Sequence, residues 1–113
     1  MQYEELAPIS REEASATFRN SDDTYTLCHS LLCVSLHDEE WQWVLPQVLR
    51  FVMHPHPEVR GVAITCIGYL ARIHRTIDVS QVLPLLEILR EDPYCARRVR
   101  QTLDDIRQYT RAA

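Results

Sequence analysis

Glycine is scarce in this chain: only two of its 113 residues are glycines. Glycine is the residue that most easily adopts the positive φ of tight hairpin turns, so its scarcity disfavours β-hairpins and favours helices. Apolar runs are far shorter than the roughly 18 residues of a membrane-spanning helix. Residues 1–9 carry two glutamates and no basic segment, so we expect neither a signal peptide nor a membrane partner.

An excess of basic residues is also missing. The chain has 16 acidic against 12 basic residues and a formal net charge of −4. A nucleic-acid-binding protein normally has a basic face that displaces counterions from phosphates. The acidic balance therefore predicts no nucleic-acid partner and favours a basic protein partner.

The cysteines do not form a recognisable metal-binding motif. Cys28, Cys33 and Cys66 lie in apolar helical patterns, whereas Cys95 does not. Buried, reduced thiols are typical of reducing compartments, so we expect a cytoplasmic protein. His29 and Cys33 are one helical turn apart, but the tight CxxC or HxxxH pairs of zinc sites do not occur. We therefore expect no metal and no cofactor.

Motifs of catalysis are missing as well, since the chain has no glycine-rich phosphate loop, no GxSxG and no HExxH. Glu39-Glu40 and Asp104-Asp105 are adjacent pairs on predicted helices. Their side chains diverge by about 100° and are poorly placed for joint acid–base chemistry. We expect them on solvated helix faces, and we expect no enzymatic activity.

Apolar residues instead repeat at helical spacing through most of the chain. Ser10 followed by Glu13 is a capping box that begins the first helix, and Asp38 is a predicted N-cap of the third. His54 and His56 are predicted turn residues. The spacing predicts one all-α domain over residues 1–113, with antiparallel helix pairs at about residues 10–36, 39–73 and 79–110.

An internal repeat relates the second and third pairs. Val44-Leu45-Pro46 corresponds to Val82-Leu83-Pro84, 38 residues later, and His54-Pro55 corresponds to Asp92-Pro93 at the same offset. A period in this range, with two helices per unit, is typical of α-solenoids, in which neighbouring pairs bury each other's apolar faces. The predicted fold is a short α-solenoid of about three helix pairs.

The segment from Trp43 to Ile73 resembles a HEAT repeat. The similarity rests on Val44-Leu45-Pro46, on the turn from Pro55 to Arg60, and on the apolar and glycine positions of the second helix. Those positions are Ala63, Cys66, Ile67, Gly68 and Leu70. Histidines stand at positions 54 and 56, where HEAT repeats usually carry aspartates.

Most of the chain between Leu31 and Ile106 is also similar to short bacterial HEAT-like immunity proteins. The residues that carry this similarity are Leu31-Leu32, Leu36-His37-Asp38, Trp41-Gln42-Trp43-Val44, His54-Pro55 through Arg60-Gly61, residues 66–74, and residues 103–106. The resemblance implies a monomer that forms a 1:1 complex with a toxin. It would occlude a basic effector, such as a nuclease domain of a contact-dependent growth inhibition system. A generic HEAT-type adaptor is the alternative. A DNA-glycosylase-like HEAT protein is disfavoured, because this chain is short and acidic.

One predicted surface fits such a partner. Trp41 belongs to the core stripe of its helix, and Trp43 lies about 200° around the helix from it. Trp43 is therefore either an exposed interface residue or packed against the preceding helix pair. Five acidic residues are predicted to lie around Trp43, where they would present negative charge to a basic partner. The alternative is that they are ordinary charges of helix N-termini. The candidate partner-binding residues are Asp22, Asp23, Asp38, Glu39, Glu40 and Trp43.

The predicted last helix carries a row of arginines, interrupted by Asp104 and Asp105. A phosphate-binding stripe and a solvated terminal face are both compatible with this pattern, and we favour the solvated face. The arginines are Arg97, Arg98, Arg100, Arg107 and Arg111.

Overall fold

Six helices account for most of residues 5–110, the part of the chain that the computed structural model describes, and this part contains no strand. The prediction of an all-α chain is confirmed. The helices are α1 Arg11–Asn20, α2 Thr24–His37, α3 Trp41–Leu49, α4 Pro57–His74, α5 Val79–Leu89 and α6 Ala96–Tyr109.

Local capping determines where most helices begin. The Ser10 hydroxyl accepts the N–H of Glu13 at 3.0 Å, as the capping box predicts. The carboxylate of Asp23, rather than Asp22, accepts the N–H of Thr26 at 2.8 Å and caps α2. Asp78 caps α5 in the same way. Each cap satisfies an N–H that has no partner inside its helix.

The predicted cap of the third helix is wrong. Asp38 is the C-cap of α2, and Glu40 occupies the N-cap position of α3 without a side-chain hydrogen bond. The Asp38 carboxylate accepts hydrogen bonds from Arg11 of α1 and from the N–H of Glu40 just before α3. It therefore links α1 to the start of α3 instead of capping α3. The acidic residues 38–40 therefore precede α3 rather than lying in its first turn.

The helices form the two layers of a short α-solenoid, as predicted. The second helices of the three pairs, α2, α4 and α6, pack side by side with α4 in the middle. Each first helix packs on its own second helix, α1 on α2, α3 on α4 and α5 on α6. The core runs along α4, where Val59, Ala63, Ile67 and Leu70 are fully buried. The four cysteine thiols are also buried, as expected of small apolar residues.

Both glycines lie on the face of α4 that contacts α6. A Cβ atom on Gly61 would lie 2.8 Å from Nε of Arg98, and one on Gly68 would lie 2.8 Å from Oδ2 of Asp105. The missing side chains thus make room for two polar residues of α6. Asp105 is buried there, so the prediction that it lies on a solvated face is wrong.

Candidate protein interface

The six predicted partner-binding residues fall into two groups at opposite ends of α2. Asp23 is its N-cap, beside Asp22, and Asp38 is its C-cap. The 14 residues of α2 separate the two caps by about 20 Å. A single acidic cluster around Trp43 is therefore not formed, because a whole helix lies between its two halves.

Asp38, Glu39, Glu40 and Trp43, together with Arg11 from α1, form what we call the α2–α3 corner. Two nitrogens of Arg11 donate to the two oxygens of Asp38, each at 2.8 Å. Arg11 also lies 3.2 Å from Glu40 and stacks 4.9 Å above the Trp43 ring. Hydrogen bonding from Arg11 holds the pKa of the Asp38 carboxyl below its ordinary value, although burial opposes this. An internal cation thus offsets part of the negative charge of this corner.

Trp41 and Trp43 are both half-buried, and both pack against the core. Arg11 belongs to the preceding helix pair and covers one face of the Trp43 ring. The structure therefore favours packing within the stack over a fully exposed Trp43. Glu39 remains an exposed side chain of this corner.

The opposite end of the molecule carries the turns that precede α2, α4 and α6, residues 21–23, 50–56 and 90–95. We call these three segments the turn edge.

In the turn before α4, Nδ1 of His54 accepts the N–H of His56 at 3.0 Å, and Nδ1 of His56 accepts the N–H of Glu58 at 3.1 Å. His56 is the N-cap of α4, and Pro57 occupies the first turn. The two imidazoles accept backbone N–H groups as Asx side chains do, in agreement with their predicted role as turn residues.

The turn that contains His54 and His56, which we call the histidine turn, is expected to make the free energy of unfolding depend on pH. Burial lowers the pKa of His54 from 6.5, and the nearby His56 and Arg60 lower it further against the opposing charge of Asp22. The neutral form is the one that the fold favours. The stability that the neutral imidazole of His54 gives to the fold is therefore fully present above about pH 6.5. It is lost as the pH falls through the lower pKa of His54 in the folded state. Urea unfolding at pH 7.5 and pH 5 should show a loss of about 1 kcal/mol, the contribution of one hydrogen bond.

The control for this prediction is His54→Asn, whose side-chain oxygen can accept the same N–H at both pH values. The variant should lose less stability than the wild type between pH 7.5 and 5. An equal loss in both proteins would show that His54 is not the group responsible.

Arg60 joins two segments of the turn edge. Its Nη1 donates to the carbonyl oxygens of His54 and Pro55, both at 3.0 Å, and its Nε donates to Asp92 Oδ2 at 2.9 Å. The side chains of Arg60 and Asp92 are only 17% and 19% exposed. Although burial raises it, the pKa of Asp92 is lowered overall, because the N–H of Tyr94 and Arg60 both bond its charged form. The turns before α4 and α6 are thereby held at one relative position.

Beside this bridge lies an open cleft of about 250 Å³. Its lining residues are His56, Pro57, Glu58, Tyr94 and Arg98. Tyr94 is 74% exposed, the most exposed of the large apolar side chains in the described part of the chain. Tyr94 is not among the partner-binding residues predicted from the sequence. An aromatic residue directly after the Asp92-Pro93 turn was the available signal.

Arg98 does not belong to a free basic stripe. Its Nη1 donates to Thr65 Oγ1 at 2.8 Å, and its Nη2 lies 3.7 Å from Glu58 Oε1. Arg97, Arg100 and Arg107 are exposed, which agrees with a solvated terminal face. Arg111 lies outside the described residues.

No group of three or more His, Cys, Asp or Glu side chains could hold a metal ion within residues 5–110. No helix described there is long and apolar enough to cross a membrane.

Comparison with known proteins agrees with this architecture. The family model of the HEAT repeat matches residues 44–74. The matched residues cover most of α3, all of α4 and the histidine turn between them, so Arg60 and both glycines lie within the match.

The whole described fold is also similar to a solved structure. A chain in the crystal structure of a CDI complex from Cupriavidus taiwanensis LMG 19424 superposes with a TM-score of 0.83 at 26% sequence identity. The match covers 96% of this chain and 97% of the other. A comparison with curated protein sequences gives no significant match. The HEAT repeat and the likeness to a CDI structure confirm the resemblance predicted from the sequence.

Proposed function

We propose that this chain is an immunity protein that binds a cognate toxin domain and neutralises it by covering the toxin's active site. The observation that carries the proposal is the end-to-end similarity to a chain of a CDI complex, over 96% of this chain and 97% of the other. We take CDI as contact-dependent growth inhibition, in which a toxin-producing cell needs an inhibitor of its own toxin. In this proposal the protein acts in the cytoplasm, as a monomer that forms a 1:1 complex with the toxin domain.

The physical properties of the chain support a binding module rather than an enzyme. A protein that blocks another needs a preformed surface, because ordering flexible segments on binding costs affinity. Here the described helices are joined by short turns, and Arg11 and Arg60 each tie together elements that are distant in the sequence. A net charge of −4 suits a basic toxin domain, such as a nuclease, whose cleft normally binds phosphates.

The partner-binding role of Asp22, Asp23, Asp38, Glu39, Glu40 and Trp43 remains a prediction. The structure divides these residues between two ends of the molecule, so a compact partner contacts one group more readily than both. The HEAT repeat alone is also compatible with a generic adaptor, which would bind a partner without neutralising a toxin.

Co-expression tests the proposal directly. The probe is the C-terminal domain of a large secreted protein encoded immediately upstream of this chain, expressed in a host that lacks both. We expect this domain to stop growth and co-expression of the chain to restore it. An inactivated form of the same domain should elute with the chain as a 1:1 complex in size-exclusion chromatography with light scattering.

A toxin domain from an unrelated system is the control, and the chain should not protect against it. Complex formation without protection would favour the adaptor. The absence of both binding and protection, or of any such neighbouring gene, would contradict the proposal.

A further inference from the structure

Tyr94 is an exposed aromatic residue on an otherwise polar turn. Its side chain is 74% exposed, and the N–H of Tyr94 is held by Asp92 Oδ1 at 2.9 Å. Tyrosine is among the residues that most often dominate binding energy at protein interfaces, because a rigid ring offers a large contact area at a small entropic cost. Exposure of such a ring is unfavourable in the free protein, and a partner that covers it gains that area.

The backbone beneath Tyr94 is already ordered. Asp92 also accepts Nε of Arg60, and Arg60 holds the two carbonyl groups of the neighbouring histidine turn. The turn that carries Tyr94 is therefore joined to the histidine turn by a half-buried ion pair between Asp92 and Arg60. A preformed surface of this kind loses little conformational entropy when a partner binds.

The cleft beside Tyr94 has the dimensions and chemistry for a long basic side chain. Its lining residues are His56, Pro57, Glu58, Tyr94 and Arg98. A guanidinium group can stack on an aromatic ring such as that of Tyr94. The guanidinium of Arg98 itself donates to Thr65 and lies 3.7 Å from the Glu58 carboxylate.

The charge of the turn edge also favours a basic partner. Its three segments contain four acidic residues and two arginines. Asp22, Asp23 and Glu91 are exposed. Of the two arginines, Arg90 pairs with Glu87 at 2.8 Å, and Arg50 lies over the ring of Phe51.

We propose that the turn edge is the surface that docks on the toxin domain, with Tyr94 as its central contact and an arginine of the basic partner in the adjacent cleft. This inference rests on the proposed function and selects one of the two candidate ends. At the other end, Arg11 pairs with Asp38 and Glu40 and covers the half-buried Trp43 ring, so the aromatic ring of that corner is less available to a partner than Tyr94, which is 74% exposed.

Affinity measurements with the inactivated upstream toxin domain test this assignment. We expect Tyr94→Ala to raise Kd at least tenfold and Tyr94→Phe to change it less than threefold, because phenylalanine keeps the stacking ring. Glu39→Lys tests the competing α2–α3 corner and should change Kd less than threefold if the turn edge is the interface. Asp22 and Asp23, both exchanged for asparagine, should slow association and weaken its dependence on salt.

The outcomes separate the two proposals. If wild-type chain binds the toxin domain and Tyr94→Ala binds equally well, the turn edge is the wrong surface and the proposed function stands. If Glu39→Lys loses binding instead, the α2–α3 corner is the interface. If wild-type chain neither binds nor protects, the proposed function is wrong and this inference is wrong with it. Circular dichroism should show unchanged helix content in each variant.

Discussion

Replacing Ile67 by alanine is expected to lower the free energy of unfolding by about 4 kcal/mol. Ile67 is 0% exposed and lies in the middle of α4, the helix that packs against both α2 and α6. The substitution removes buried methyl groups and leaves a cavity that helices on two sides cannot easily close. For a domain of this size, this is a large share of the total stability of roughly 5–15 kcal/mol. Urea unfolding followed by circular dichroism measures the change.

Ile73 provides a matched control on the same helix. It has the same side chain six residues later, but it is 48% exposed. Because little apolar area is lost there, we expect Ile73→Ala to change the free energy of unfolding by less than about 1 kcal/mol. Equal effects at the two positions would mean that the orientation of α4 in the stack is different from the one described.

Replacing Arg60 by alanine is the second substitution with a large expected effect, about 2–3 kcal/mol. The change removes three hydrogen bonds and leaves the half-buried Asp92 carboxylate without its cation. It also frees the turns before α4 and α6 from each other. Thermal unfolding gives the loss of stability, and hydrogen exchange should show faster opening at residues 54–56 and 92–95.

Arg60→Lys should recover only part of the loss, because one ammonium group cannot reach two carbonyl groups and a carboxylate in the planar arrangement of a guanidinium. Arg90→Ala is the control at an exposed site. Arg90 pairs with Glu87 on the surface, where such pairs contribute little, so we expect no measurable change. The importance of Arg60 would be refuted if both alanine variants unfolded like the wild type.

Features that depend on near neighbours in the chain could be predicted. The Ser10 cap, the helical spacing of the apolar residues and the histidine turn each involve residues within a few positions of one another. The repeat of Val44-Leu45-Pro46 at Val82-Leu83-Pro84 was sufficient to predict stacked helix pairs, because such pairs cannot bury their apolar faces alone.

The candidate interface could be predicted only in part, because helix lengths and partners decide it. Five acidic residues were predicted to lie together around Trp43, but α2 places two of them at the opposite end of the molecule. The ion pair between Arg11 and Asp38 joins residues 27 positions apart, and no local pattern predicts it. It changes the α2–α3 corner from an open acidic surface into one that is partly neutralised.

Asp105 and Tyr94 show the same limit from opposite directions. Asp105 is an acidic residue adjacent to the exposed Asp104, yet Gly68 on α4 leaves room for it in the α4–α6 interface. Tyr94 is aromatic, yet the turn before α6 leaves it in solvent beside the cleft. Burial at these positions is determined by what the neighbouring helix presents.

By itself, the sequence determined the helical class, the approximate positions of the six helices, the likeness to a HEAT repeat and the acidic balance that suits a basic partner. These follow from periodicity, capping and composition, which act over one or two helical turns or over the chain as a whole. The tertiary structure alone decided which charges are free, which aromatic ring is exposed and which turns lie together. Those properties depend on contacts between residues that lie 27 or more positions apart in the sequence, such as the ion pairs of Arg11 with Asp38 and of Arg60 with Asp92.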